Sequence, residues 1–174
     1  LTYQLREDFN MTDCTDYRCA GPNANQKNIQ YQTARGLWGI VGVLGTDDHP
    51  PFAYTVGLHK IGLPELILVG PLRLDLMEAV INTAGFYLRD NNMEQFEHGV
   101  EYINITNMPS VFLDVPEEQF KEYMFQAEYF YGHRNFKVQQ MCWPDINGKF
   151  PWDENSEFSE DQKFHNLQTL LGNK

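Results

Sequence analysis

Three short apolar runs follow one another between Leu37 and Val69, and turn residues alone separate them. The first, Leu37 to Leu44, reads Leu-Trp-Gly-Ile-Val-Gly-Val-Leu. It is β-branched and interrupted by two glycines, which inside a strand mark a bulge or a close backbone approach. Gly45 to Pro51 is a turn, and Phe52 to Leu58 returns as a second strand antiparallel to the first. His59 to Pro64 turns again, and Glu65 to Val69 is a third strand. Strands this closely spaced predict a meander.

The remaining elements follow from periodicity. Gly70-Pro71 ends the third strand and opens a helix in which Met77, Val80, Ile81, Ala84 and Leu88 recur at helical spacing. Val100 to Ile105 and Ser110 to Leu113 read as strands. Asp114-Val115-Pro116-Glu117 is a helix start, with Phe120, Met124, Ala127 and Tyr131 on one face and Gly132 as the stop. Phe136 to Cys142 is a last strand. Strands in hairpin-like succession with helices between them give an α+β fold. Its sheet is mostly antiparallel, or a half-closed barrel, with two main helices packed outside. Residues 1–35 are polar and read as an N-terminal arm, with a short helix from about Ala24 to Arg35 closed by Gly36. Residues 36–174 form a single α+β domain.

Composition then narrows the function classes. A formal net charge of -11 with no cluster of Lys and Arg argues against nucleic-acid binding. No apolar run approaches a membrane span, and no secretory leader pattern is visible. The acidity fits a soluble cytoplasmic protein, or one that docks on a basic partner. Cys14, Cys19 and Cys142 make an odd count that suits a reducing compartment. Cys14 and Cys19 have no matching second pair, so a zinc site is not expected. Asp47, Asp48 and His49 sit in a turn where adjacent acids are more often solvated turn formers than metal ligands.

Two stretches concentrate the candidate chemistry. Strand alternation separates Tyr54 from Thr55, and the Thr55/Gly57 face is small enough for a ligand to approach the backbone. His59, in the turn beyond, is the candidate for acid–base work, because its charge changes near neutral pH. Its bland reading is a solvated turn histidine beside Lys60. The second stretch, Cys142 to Trp152, holds two of the three tryptophans, two prolines and a glycine. Trp143 and Trp152 could stack on a planar ligand, with Asp145 or Asp153 holding a polar edge. Equally, the tryptophans could plug the core while Pro144-Asp145 and Asn147-Gly148 shape a turn. Cys142 reads as a buried thiol.

Pro51 to Leu58, Pro64-Glu65-Leu66, Tyr131-Gly132 and the pattern Trp143-Pro144-Asp145-x-x-Gly148-x-Phe150-Pro151-Trp152 together resemble a bacterial family known as domain of unknown function 4262. The resemblance covers roughly Gly36 to Leu171. The family pattern has His before the proline, where this chain has Leu63, so a role for a histidine there does not carry over. The order of strands also resembles that of the flavin-binding split barrels, which implies a flavin or other planar cofactor.

The expected function is that of a small-molecule-binding domain, either an enzyme or a non-catalytic binder. Its pocket would lie between the 52–59 strand end and the 142–153 loop, and Tyr54, Thr55, His59, Trp143, Asp145 and Trp152 would line it. The alternative is a non-catalytic acidic interaction module of the inhibitor or immunity type. It would present the acidic stretch Asp153 to Asp161 to a basic protein.

Overall fold

The computed structural model describes residues 21–47 and 49–157, with backbone only for 21–24. Cys14, Cys19, Asp48, residues 158–161 of the acidic stretch and the C-terminal tail lie outside the described residues. The elements run α1 (Gly21–Thr33), β1 (Gly39–Val43), β2 (Phe52–Val56), β3 (Glu65–Val69), α2 (Leu74–Asp90), β4 (Glu101–Tyr102), β5 (Ser110–Val115), α3 (Glu117–Phe120), α4 (Phe125–Tyr131) and β6 (Val138–Cys142).

Six strands form one mixed sheet in the order β1-β2-β3-β6-β5-β4. The antiparallel meander β1-β2-β3 is present, with Val41 opposite Tyr54 and Tyr54 opposite Ile67. β6 is antiparallel to β5 and runs parallel to β3, pairing Glu65 with Val138 and Leu68 with Met141. The sheet is thus two antiparallel triplets joined by one parallel seam. It is open at both edges, which corrects the half-closed barrel. The α+β class and the predominance of antiparallel pairs stand.

Both faces are covered, and strand alternation assigns each side chain to one of them. On one face Tyr54, Val56, Ile67, Leu113 and Val138 meet Ile29 of α1 and Phe120, Met124 and Ala127 of the α3–α4 layer. On the other, Ala53, Leu66, Leu68, Phe112, Met141 and Trp143 meet Met77, Ile81, Ala84 and Leu88 of α2. Strands covered on both sides read as continuous apolar runs, and β2, β3 and β6 are buried along their whole length.

The helix expected from Pro116 to Tyr131 is broken. It makes one turn at Glu117–Phe120 and starts again at Phe125. The break lets Phe120, Met124 and Ala127 all reach the sheet. Helix α1 lies within the stretch expected as an arm, and it packs on β1, where Ile29 covers Gly39 so closely that a Cβ on Gly39 would lie 2.7 Å from its side chain. α1 ends in a Schellman motif: Gly36, at φ 71°, donates to the Thr33 carbonyl at 3.2 Å, and Leu37 donates to that of Gln32 at 3.1 Å.

Gln139 has a structural use that its polarity conceals. Its amide accepts from the Phe96 N–H at 3.0 Å and donates to the Phe96 carbonyl at 2.9 Å, so a buried strand side chain replaces a missing ladder partner. The Phe96 ring then stacks on Phe112 at 3.6 Å.

Trp143 is 2% exposed and belongs to the α2-side core. Trp143→Ala is therefore expected to cost about 3–5 kcal/mol of stability, read as a lowered urea midpoint. An unchanged midpoint would remove Trp143 from the core.

Candidate functional site

The site is built where β2 and β3 part company. Their registered pairing ends at Tyr54 and Ile67. Beyond it the Thr55 hydroxyl takes the place of a backbone acceptor, receiving the Leu66 N–H at 2.8 Å. β2 then swings into a 3-10 turn, Leu58–Ile61, by way of Gly57 at φ 130°. A Cβ at Gly57 would lie 2.6 Å from the Thr33 methyl and 2.9 Å from the Trp38 Cα, so both conformation and space require glycine.

Into this opening projects the side chain of Glu65, which is 0% exposed. The Thr55 hydroxyl donates to Oε2 at 2.6 Å. The Gly57 and His59 amides, at the start of the 3-10 turn, each donate to Oε1 at 3.0 Å. The Tyr131 hydroxyl also donates to Oε1. Tyr131 reaches it because α4 stops at the next residue. Gly132, at φ 73°, closes the helix by donating to the Glu128 carbonyl at 2.8 Å.

Outside the carboxylate lies a ring of aromatic and imidazole groups. His59 meets Tyr131 edge-on at 5.2 Å and His133 at 6.0 Å, and Phe136 closes the side at 6.2 Å. His59 is half-buried and His133 exposed, so the cluster runs from a dry carboxylate to solvent.

Electrostatics follow from this layering. Burial raises the Glu65 carboxyl above the ordinary glutamate range, against the pull of its four donors. Burial and the adjacent Glu65 push the Tyr131 hydroxyl far up, so it stays a donor. His59 is lowered, first by burial and then by repulsion from His133, so its imidazole is neutral at neutral pH. Among the described residues no group of three or more His, Cys, Asp or Glu is arranged to hold a metal ion.

The structure brings Thr55 and His59 together at Glu65. It places Tyr54 and Trp143 apart, in the cores on opposite faces of the sheet. The Tyr54 hydroxyl accepts the Gln126 N–H at 3.2 Å. Asp145 organises its own loop: Oδ1 accepts from Asn147 at 2.8 Å and Lys149 at 3.0 Å, and Oδ2 from Glu157 at 2.9 Å. Those amides, Glu157 foremost, hold its carboxyl below the usual range. Trp152 stacks on Phe150 at 5.0 Å and is 38% exposed. Cys142 is buried, and burial raises its thiol.

Sequence reasoning missed three members of the cluster: Glu65 was read only as the start of the third strand. Tyr131 was assigned to a core-facing helix stripe, although the glycine after it signals a helix end. His133 carries no local signal at all.

Two outcomes follow. Tyr131→Phe removes one donor from a buried carboxyl and is expected to cost about 1–3 kcal/mol by chemical denaturation. A raised folded-state pKa favours the protonated native chain, so Glu65 contributes stability in acid that fades as pH climbs through that pKa. The native chain should accordingly lose ground to Glu65→Gln between mildly acidic and neutral pH. A difference that moves the other way would mean that the four donors outweigh burial.

The sequence matches the family described as "Domain of unknown function (DUF4262)" over residues 33–157. No curated protein and no solved structure matches it. The matched span contains the three-strand meander, the Glu65 cluster and the Trp143–Trp152 loop, and it covers most of the chain. The chain belongs to the DUF4262 family.

Proposed function

We propose that the chain is a small-molecule-binding domain that works at the Glu65 cluster, with His59 and Tyr131 meeting the ligand. One observation supports this above the others. The Tyr131 hydroxyl donates to a fully buried carboxylate, and the Tyr131 ring meets edge-on a half-buried imidazole that borders an exposed one. As a clasp for the 3-10 turn the carboxyl matches its four donors, yet burying an ionisable group there carries a desolvation cost. Ionisable groups shifted in both directions at one corner fit acid–base work.

In this reading Glu65 fixes the Tyr131 hydroxyl and the backbone under His59. The neutral His59 imidazole accepts a proton from a protic ligand, and His133 lines the approach. Thr55 holds Glu65 in place and does not touch the ligand. Trp152, on the far loop, has no part in the site.

The test is native mass spectrometry of the protein after incubation with a small-molecule cell extract. A bound mass should appear on the native chain and on Trp152→Ala, and be lost from His59→Ala and Tyr131→Phe. Retention by His59→Ala, or no bound mass on the native chain, would overturn the reading. Because neutral His59 is the competent form, binding should rise with pH through the lowered imidazole pKa and level off above it.

A further inference from the structure

A concavity lies at the β1 edge of the sheet, and none of the Glu65 cluster residues line it. It is a groove of about 390 Å³ between α1 and α2. Glu78, Asn82 and Phe86 stand four residues apart on α2, and Asn28 and Gln32 stand four apart on α1, so each helix offers one stripe to the groove. Trp38 lies between them, just before β1. β1 is an edge strand, so alternate backbone groups on its outer side have no strand partner among the described residues.

Two close approaches build this place. The Trp38 indole lies against α2 at Gly85, where a Cβ would be 2.7 Å from the ring. The Glu78 carboxyl lies against Gly42 of β1, where a Cβ would be 2.6 Å from Oε1. Both leave polar atoms unmet: Trp38 Nε1 and Glu78 Oε1 are buried with no hydrogen-bond partner among the described residues. An unmet buried acceptor is unfavourable, and an N–H donor brought by a ligand would relieve Glu78 Oε1, whereas Trp38 Nε1 is itself a donor and would gain nothing from a cation.

The lining chemistry selects the class of ligand. It contains one carboxylate, three side-chain amides, two aromatic rings, and no Lys or Arg. An anion would meet Glu78 with nothing to offset it. A cation finds a carboxylate, amide oxygens and ring faces. Those rings already accept a cation at one end: the Arg89 guanidinium sits 4.7 Å from the Phe86 centroid and 5.9 Å from that of Trp38, while paired with Asp90 at 2.8 Å. Trp38 and Phe86 stand 4.8 Å apart and tilted, which leaves an apolar wall beside the carboxylate.

We infer that this groove binds a small organic cation, an ammonium or amidinium on a short apolar body, with Glu78 taking the charge and Trp38 and Phe86 the body. The site is independent of the Glu65 cluster and stands whether or not that cluster binds a ligand.

The test is a ¹H–¹⁵N NMR titration of the full chain with phenethylammonium and benzamidinium, and with phenylacetate as the anionic control. The Trp38 indole N–H and the Asn28, Gln32 and Asn82 side-chain amides are the reporters. Saturable shifts are expected at these groups with the cations, at affinities in the roughly millimolar range of fragment-sized ligands. Phenylacetate should bind at least about tenfold more weakly, and Glu78→Gln should weaken the cations by about tenfold. Asn82→Asp adds a second charge on the same stripe and should tighten them several-fold. No saturable shift, shifts confined to His59 and His133, equal binding of phenylacetate, or cation affinities that neither variant changes would each overturn the assignment.

Discussion

A single buried carboxylate holds the meander, the 3-10 turn and the end of α4 in one arrangement. β2 and β3 cannot stay paired beyond Tyr54, because Gly57 must pass close over Trp38 and the last turn of α1. That departure exposes two backbone N–H groups and removes a ladder acceptor. Glu65 takes both amides, and Thr55 supplies the missing acceptor. The Tyr131 hydroxyl then ties α4 to the same point. Backbone groups inside a protein must find partners, and here one side chain supplies several of them at once. An ionisable group in that position carries a desolvation cost, and this is why the corner reads as a site as well as a joint.

The fold was largely legible because its signals are local. Apolar runs bounded by Gly and Pro place β1, β2 and β3, and the spacing of Met77, Ile81, Ala84 and Leu88 places α2. The parallel seam was not legible. β6 pairs with β3 across a long stretch of chain, and nothing in Val138 to Cys142 distinguishes a parallel from an antiparallel neighbour. The split of the Pro116–Tyr131 helix was hidden for a related reason. Its apolar stripe continues through the break because both pieces pack on the same face.

The site was legible in part. Thr55 and His59 could be singled out because strand alternation and titration range are properties of single residues. Their association with Tyr131 and His133 depends on where a distant helix ends. The tryptophan loop left packing and binding equally open for a different reason. Trp143 follows a strand, so alternation alone determines its face, and it falls on the side opposite Tyr54. Aromatic density in a loop marks packing as readily as binding. Asp145 gathers three backbone amides of its own loop, which is work enough for a buried carboxylate.

The seam between β3 and β6 also bears on how the chain reaches this fold. Each antiparallel triplet is assembled from neighbours in sequence, or nearly so, and its closure entropy is modest. The parallel pairing of Glu65 with Val138 closes a far larger loop, one that includes α2 and all of β4 and β5. Contacts of that separation set the pace of folding. Tyr131 meets Glu65 only once α4 has been brought against the first triplet. A chain holding both triplets without α4 seated on the first would possess most of the secondary structure and lack the Tyr131–Glu65 contact.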